Sequence, residues 1–258
     1  MICKETFNEI IQNAKHCKYS SLRYIELNDC MNSDILHNSK GLVILHDKSQ
    51  LPEIIYFAVD EFNTVINAIN EMPSNKLRLH FVPNEYVARL KEIGFSEWGE
   101  YVDFWNENLS HTSANFVSIG RLEYLSKEEC KEASLLSRRC KLQSRGFEGE
   151  SPEWFIEWLD ENEVIVQRKG SEIAGFCCVS IYNDGTTLWI REIAVDLAFQ
   201  GMGYGKCLME QAIKYGVDNG ATKGFLAADI LNENAIGLYH KYDFHRKGAD
   251  SELQMIRM

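Results

Sequence analysis

The chain has 258 residues, is 45% hydrophobic and 25% charged, and carries a formal net charge of −11, an ordinary globular composition with material for one or two domains. The acidity argues against a nucleic-acid partner, which needs clustered Lys and Arg against the phosphate backbone, and it either serves solubility alone or suits a cationic substrate such as an amine. No apolar run reaches the length of about 18 residues that a membrane span needs, and MICKETFNEI at the start does not read as a secretion signal. The eight cysteines include no C-x-x-C pair, so no metal site is expected, and they read as reduced thiols of a cytoplasmic protein.

In chain order, YFAVD (56–60) reads as a strand, EFNTVINAINEM as a helix, KLRLHFVP (76–83) as a strand and NEYVARLKEIGF (84–95) as a helix. NENLSHTSAN (106–115) is polar without an apolar period and is expected to be a linker, followed by a short strand NFVSI (115–119). SKEECKEASLLSRRC opens a helix with the capping-box pair Ser126 and Glu129, and SPEWFIEWLDEN opens another with Pro152 in its first turn. Three β-rich runs follow up to EIAVD (192–196), separated by the hairpin signals Lys169-Gly170 and Asn183-Asp184-Gly185. After the stretch FQGMGYG, a helix carries Leu208, Met209, Ala212, Ile213, Gly216 and Val217 on one face and ends at Asn219-Gly220. KGFLAADIL (223–231) is a strand and NENAIGLYHKY (232–242) an Asn-capped helix, while 244–248 and 252–257 are expected to pair as final strands.

The first half repeats the second in a degenerate form. YFAVD echoes EIAVD, and NEYVARLKEIGF parallels NENAIGLYHKYDF, but no glycine loop follows Asp60, and Leu90 stands where the second copy has Tyr239. Landmarks in the same order predict two tandem domains, a structural one over 1–110 and a working one over 111–258.

Gly201, Gly203 and Gly205 lie between a strand and a helix, the layout in which main-chain N–H groups and the helix dipole hold an anion. A Walker A loop fails at Gln200 and Cys207, and a dinucleotide fingerprint fails at Lys206. The pattern that fits is Q-x-x-G-x-G, at Gln200, Gly203 and Gly205. With EIAVD before it and N-x-x-A-x-x-L-Y-x-K-x-x-F at Asn232, Ala235, Leu238, Tyr239, Lys241 and Phe244 after it, residues 116–258 resemble the GNAT superfamily of acyl-CoA-dependent N-acyltransferases. Asp243 departs from the family's usual glycine.

The resemblance implies a mixed α/β (α+β) fold with a mostly antiparallel sheet flanked by helices, in two tandem copies. It also implies acetyl-CoA or coenzyme A as co-substrate, and direct attack by a small-molecule or peptide amine in a ternary complex. Gln200, Gly201, Met202, Gly203, Tyr204, Gly205 and Lys206 would then cradle the pyrophosphate, and the strand of Ile193, Ala194 and Val195 would run along the pantetheine arm. Tyr239 would protonate the departing thiolate, and Asn232, seven residues before it in the sequence, shares its helix face.

Glu192 is the candidate base. Strict alternation groups Trp189, Arg191, Ile193 and Val195 on one face and turns Glu192 to the other, unless a bulge intervenes or the carboxylate serves a salt bridge in the sheet. Arg191 is a candidate contact for a substrate carboxylate, Trp154, Phe155 and Trp158 are either an acceptor wall or core, and Cys207 reads as packing rather than as a nucleophile. The rival reading is a non-catalytic acyl-CoA-binding or regulatory protein.

Overall fold

A computed structural model of the chain describes all residues except Tyr24, Ala114, Asn115, 117–120, Gly146, Ala249 and Asp250, with the backbone alone of Leu142. The chain divides into two compact units, Met1–Glu100 with Ser251–Met258, and Tyr101–Asp250. The division lies ahead of the polar stretch 106–115, and that stretch is not a linker. It holds the end of a strand at Asn106 and a helix at Leu109–Ser113, with Asn106, Leu109 and Thr112 buried. The strand expected at 115–119 lies outside the described residues, Phe116 apart.

In the first unit, helix α1 (Lys4–Ala14), strand β1 (Tyr19–Ser20) and the short helix α2 (Leu27–Cys30) precede β2 (Asp34–Ser39), β3 (Leu42–Asp47) and β4 (Glu53–Val59). The three long strands are antiparallel neighbours, and β1 also pairs with β4. Helix α3 (Asn63–Glu71) then leads to β5 (Leu77–Leu79), which lies parallel to β4 at 53–55, and α4 (Val87–Glu92) closes the run. Alternation along β3 sends Val43 and Leu45 into a core with Ile10 of α1 and Ile44 into a core with Ile66 and Ile69 of α3. Strands β3 and β4 are therefore buried on both faces and read as nearly continuous apolar runs, whereas the edge strand β2 is mostly exposed.

Strand β6 (Ser96–Asn106), helix α5 (Leu109–Ser113) and β7 (Glu123–Tyr124) bring the chain into the second unit. Both partners of the expected capping box at Ser126 and Glu129 are made ahead of α6 (Cys130–Arg139), and the Ser151 hydroxyl caps α7 (Pro152–Trp158). Strands β8 (Glu163–Lys169), β9 (Glu172–Tyr182) and β10 (Thr187–Val195) form an antiparallel meander. After α8 (Tyr204–Asp218), β11 (Lys223–Asp229) lies parallel to β10 and antiparallel to β6. Asn232 caps α9 (Glu233–His240) by accepting from the Ala235 N–H.

The last two strands do not join each other as the sequence led us to expect. β12 (His245–Arg246) pairs with β6, and β13 (Glu252–Arg257) pairs with β5 in the first unit. Leu208, Met209, Ala212 and Ile213 of α8 are buried against one face of the second unit's strands with Leu188, Ile190 and Tyr239. Ala133 and Leu136 of α6 and Phe155 of α7 cover the other face with Phe176 and Ala194. Among the described residues no helix is long and apolar enough to cross a membrane.

Candidate active site

The site is built around a gap. Strands β10 and β11 are paired at 187–189 and 223–225 and then part, so the rest of β10 has its β9-facing edge filled and its other edge open. Asp196 N–H donates to Ala174 of β9, and alternation therefore turns the main-chain groups of Val195 and Ile193 toward the gap. The Val195 carbonyl already accepts from the Gln200 side chain at 3.0 Å and from the Cys140 thiol at 3.4 Å. Gln200 thus fastens the loop to the strand end through its side chain. Asp196 fixes the same corner from its other side, accepting from the Ala198 N–H at 3.0 Å and from Arg139 Nε at 2.8 Å.

The loop between this corner and α8 has the geometry of an anion cradle. Gly201 and Gly203 sit at φ +74° and +91°, a left-handed backbone that favours glycine, and a side chain added at either would stand in open space. The first loop-to-helix bond is donated by Cys207 to Gly203, so among the described residues the amides of 201–206 have no main-chain acceptor. Met202 is 60% exposed, and the exposed Lys206 ammonium stands 3.7 Å from Glu210 one turn on. Tyr204 packs on Phe199 with ring centres 6.0 Å apart. Glycines without Cβ, unpaired amides and the positive end of a fifteen-residue helix together fit a pyrophosphate.

The corresponding corner of the first unit is closed. Only residues 60–62 separate β4 from α3, and the cap position is Phe62, packed on Phe57 at 5.1 Å and on Tyr86 at 4.8 Å.

Glu192 stands beside the gap, and the structure corrects the alternation expected for its strand. The register of β10 against β9 slips between Ile190 and Glu192, leaving Arg191 as the extra residue of a bulge. Before the bulge Leu188 and Ile190 face α8; after it Ile193 and Val195 do, while Ala194 faces the α6 and α7 side. Trp189 lies on that second side too, 5.8 Å from Trp158. Trp189 and Arg191 therefore do not share a face with Ile193 and Val195.

Glu192 is 9% exposed, and its Oε1 accepts from the Ser137 hydroxyl of α6 at 2.9 Å. Its Oε2 is buried without a hydrogen-bond partner, the Arg191 guanidinium standing 3.9 Å away. Burial pushes the carboxyl up from 4.5 to about 7, against the Ser137 hydrogen bond and the Arg191 charge that pull it down. Arg191 itself is held by Glu150 at 2.7 Å and by the face of Trp154 at 4.3 Å. Phe155 is core, whereas Trp154 and Trp158 are half-buried and stacked on each other.

Tyr239 approaches β10 from the opposite face. It is 6% exposed in the core that holds Cys177 and Ile193, residues paired across β9 and β10. Burial drives its phenol far above its usual value of 10, so the hydroxyl stays protonated and available as a donor. Asn232 is committed through its side-chain oxygen to the α9 cap.

Sequence reasoning missed two partners. Ser137 is fully buried, accepts a hydrogen bond from the Glu150 N–H at 3.0 Å and donates its own to Glu192 Oε1. Asp229, at the end of β11, takes Arg145 Nη2 at 2.7 Å and the Arg145 N–H at 2.8 Å, tying the loop after α6 to the gap's far edge. Serines 134 and 137 on the buried face of an amphipathic helix were the available signal for the first, since buried polar groups need partners.

Residues 130–244 match the acetyltransferase (GNAT) family. The matched segment is a little under half of the chain and lies within the second unit. A curated relative, mycothiol acetyltransferase of Catenulispora acidiphila, is 28% identical over 103 residues, 38% of this chain, and the match spans 33% of the relative's length. Among solved structures, a conserved protein of unknown function from Staphylococcus epidermidis covers 92% of this chain and is itself covered over 99%, at 15% identity and a TM-score of 0.58. A tandem GNAT protein from the clavulanic acid biosynthesis pathway covers 88% of this chain and is covered over 83%, at 10% identity and a TM-score of 0.59. The likeness to these structures extends beyond residues 130–244 and is one of fold.

Proposed function

We propose that the second unit, Tyr101–Asp250 rather than the 111–258 expected from the sequence, is the working domain and transfers an acetyl group from acetyl-CoA to a primary amine, of a small molecule or a peptide, by direct attack in a ternary complex. The observation that carries this reading is the unpaired, glycine-opened start of α8 beside a strand edge that β11 has left free. When bound, acetyl-CoA supplies the activated acyl group. The amides of 201–206 hold its pyrophosphate, and the main-chain groups of Ile193 and Val195 hold the arm, those of the expected Ala194 being turned to β9 instead.

Glu192 and Tyr239 divide the proton work from opposite faces of β10. An alkyl amine has a pKa of about 10.4 and must lose a proton before it attacks. A carboxylate titrating near 7, with one oxygen free, accepts that proton. A phenol kept neutral by burial returns one to the departing sulfur. The name of the curated relative favours acetyl as the transferred group. All eight cysteines are free, which fits a reducing cytoplasm.

The test is thiol release from acetyl-CoA across a panel of primary amines, for the intact chain and for Tyr239→Phe. The reading expects acceptor-dependent release that falls at least tenfold in the variant while acetyl-CoA affinity is retained. Tight coenzyme binding with no acceptor-dependent release from any amine overturns it in favour of a binding protein.

A further inference from the structure

The first unit contains a cavity of about 470 Å3 that the acyl-transfer reading does not use. Its walls carry the carboxylates of Asp29, Asp47 and Glu252, and neither Lys nor Arg is among its lining residues. Asp47 is 3% exposed, and the hydrogen bond it receives is from the Ser49 N–H at 2.7 Å. The adjacent Lys48 turns to Asp34 instead, at 2.6 Å. A buried carboxylate with no cation beside it is a natural partner for a positive charge brought by a ligand.

Two further buried groups have capacity to spare. His80 bonds Glu252 through Nδ1 at 3.2 Å, and its Nε2 is buried with no partner. Gln254 is 7% exposed and donates to Glu252 at 3.0 Å, while its own carbonyl oxygen has no partner.

The cavity's position carries the same message. The echo of EIAVD by YFAVD puts Tyr56, a lining residue, where the second unit has Glu192. Both side chains turn to the helix that precedes the sheet: Tyr56 donates to the Asp29 main-chain carbonyl of α2 at 3.0 Å, and Glu192 accepts from Ser137 of α6. The first unit therefore keeps a pocket on the side where the second presents its candidate base. It has no glycine loop for a coenzyme, because Phe62 plugs the start of α3.

We propose that this cavity binds a small organic ammonium ion, a mono- or diamine, without acylating it. Its volume lies within the range of small-molecule sites, about 300–1,000 Å3. Asp47 is the buried anchor, Asp29 and Glu252 supply the remaining charge, and the net charge of −11 favours approach of a cation.

The test is calorimetric titration of the full chain, without acetyl-CoA, with butylamine and putrescine, using 1,4-butanediol as the uncharged control. The expected result is one amine per chain, an affinity that falls as salt is added, and no binding of the diol. Asp47→Asn should weaken the amine at least tenfold, and Glu192→Gln should leave it unchanged. Glu252→Gln, at a half-buried position, gives the same readout with less risk to folding, and near-UV circular dichroism checks both variants. The proposal is overturned if neither amine binds above the diol, or if folded Asp47→Asn and Glu252→Gln bind as wild type. Binding lost in Glu192→Gln instead would place the amine at the acyl-transfer site. Because the readout is binding without acetyl-CoA, a failure of the acyl-transfer reading leaves these outcomes as they stand.

Discussion

Replacing Glu192 by Gln should make the protein more stable and less active, with both effects depending on pH. In the folded chain the carboxyl titrates near 7, against 4.5 for an ordinary glutamate. At about 1.4 kcal/mol per pH unit, ionising it in place costs about 3 kcal/mol at pH 8. The sign follows from proton counts. Between pH 4.5 and 7 the folded state holds a proton that the unfolded state has released, so stability falls as pH rises through this window.

Gln removes the charge and still offers Ser137 an acceptor, but its nitrogen inherits the unpartnered Oε2 position, which returns about 1 kcal/mol. The net gain is about 2 kcal/mol at pH 8, or roughly 4–8 °C in Tm for a unit of this size, and it disappears by about pH 5, where the wild-type carboxyl is already protonated. Differential scanning calorimetry at the two pH values measures it. An equal Tm change at both, or a loss of stability at pH 8, refutes the account of Glu192 as a buried carboxylate held at the expense of stability.

Catalytically, kcat/KM of the wild type should rise with pH through an acidic limb near 7, and Glu192→Gln should abolish the limb and lower the alkaline plateau by about 10²–10⁴; a pH–rate profile decides. Gly203→Ala forces a side chain to φ +91°, costing about 1–2 kcal/mol, and should raise KM for acetyl-CoA about tenfold or more; unchanged coenzyme affinity contradicts the cradle. Gly224→Ala places a methyl 2.7 Å from Phe244 Cζ in a fully buried contact and should lower stability by about 1–3 kcal/mol in denaturant titrations. Asp243→Gly should be close to neutral, since relief at φ +61° offsets the lost Thr112 bond, whereas Asp243→Ala keeps the strain and loses about 1 kcal/mol with the bond.

What the sequence made legible is what local chemistry dictates. The glycine cluster at 201, 203 and 205 announced a loop stripped of side chains and the helix it opens, and the apolar period of 208–217 announced which face of α8 is buried. Asp243, a departure from the family pattern, occupies the left-handed position that glycine would fill, and Asp is among the residues that tolerate it. The bulge at Arg191 was not legible, because an extra residue is recorded in the pairing with β9 and not in the composition of β10. That one residue moves Ile193 and Val195 to the α8 face and decides where Glu192 points.

Non-local pairings escaped for the same reason. β13 belongs beside β5, far back in the chain, and nothing within 252–257 says so. The polarity of 106–115 misled because its polar groups are used inside: Asn106 donates to Thr112 at 2.8 Å and to the Tyr242 carbonyl at 2.8 Å.

A crystal structure of the chain with acetyl-CoA tests the central claim most directly. The account predicts both phosphates against the amides of 201–206, the arm along Ile193 and Val195, and the sulfur on the Tyr239 side of β10. A nucleotide bound elsewhere, or a phenol turned away from the sulfur, would contradict it.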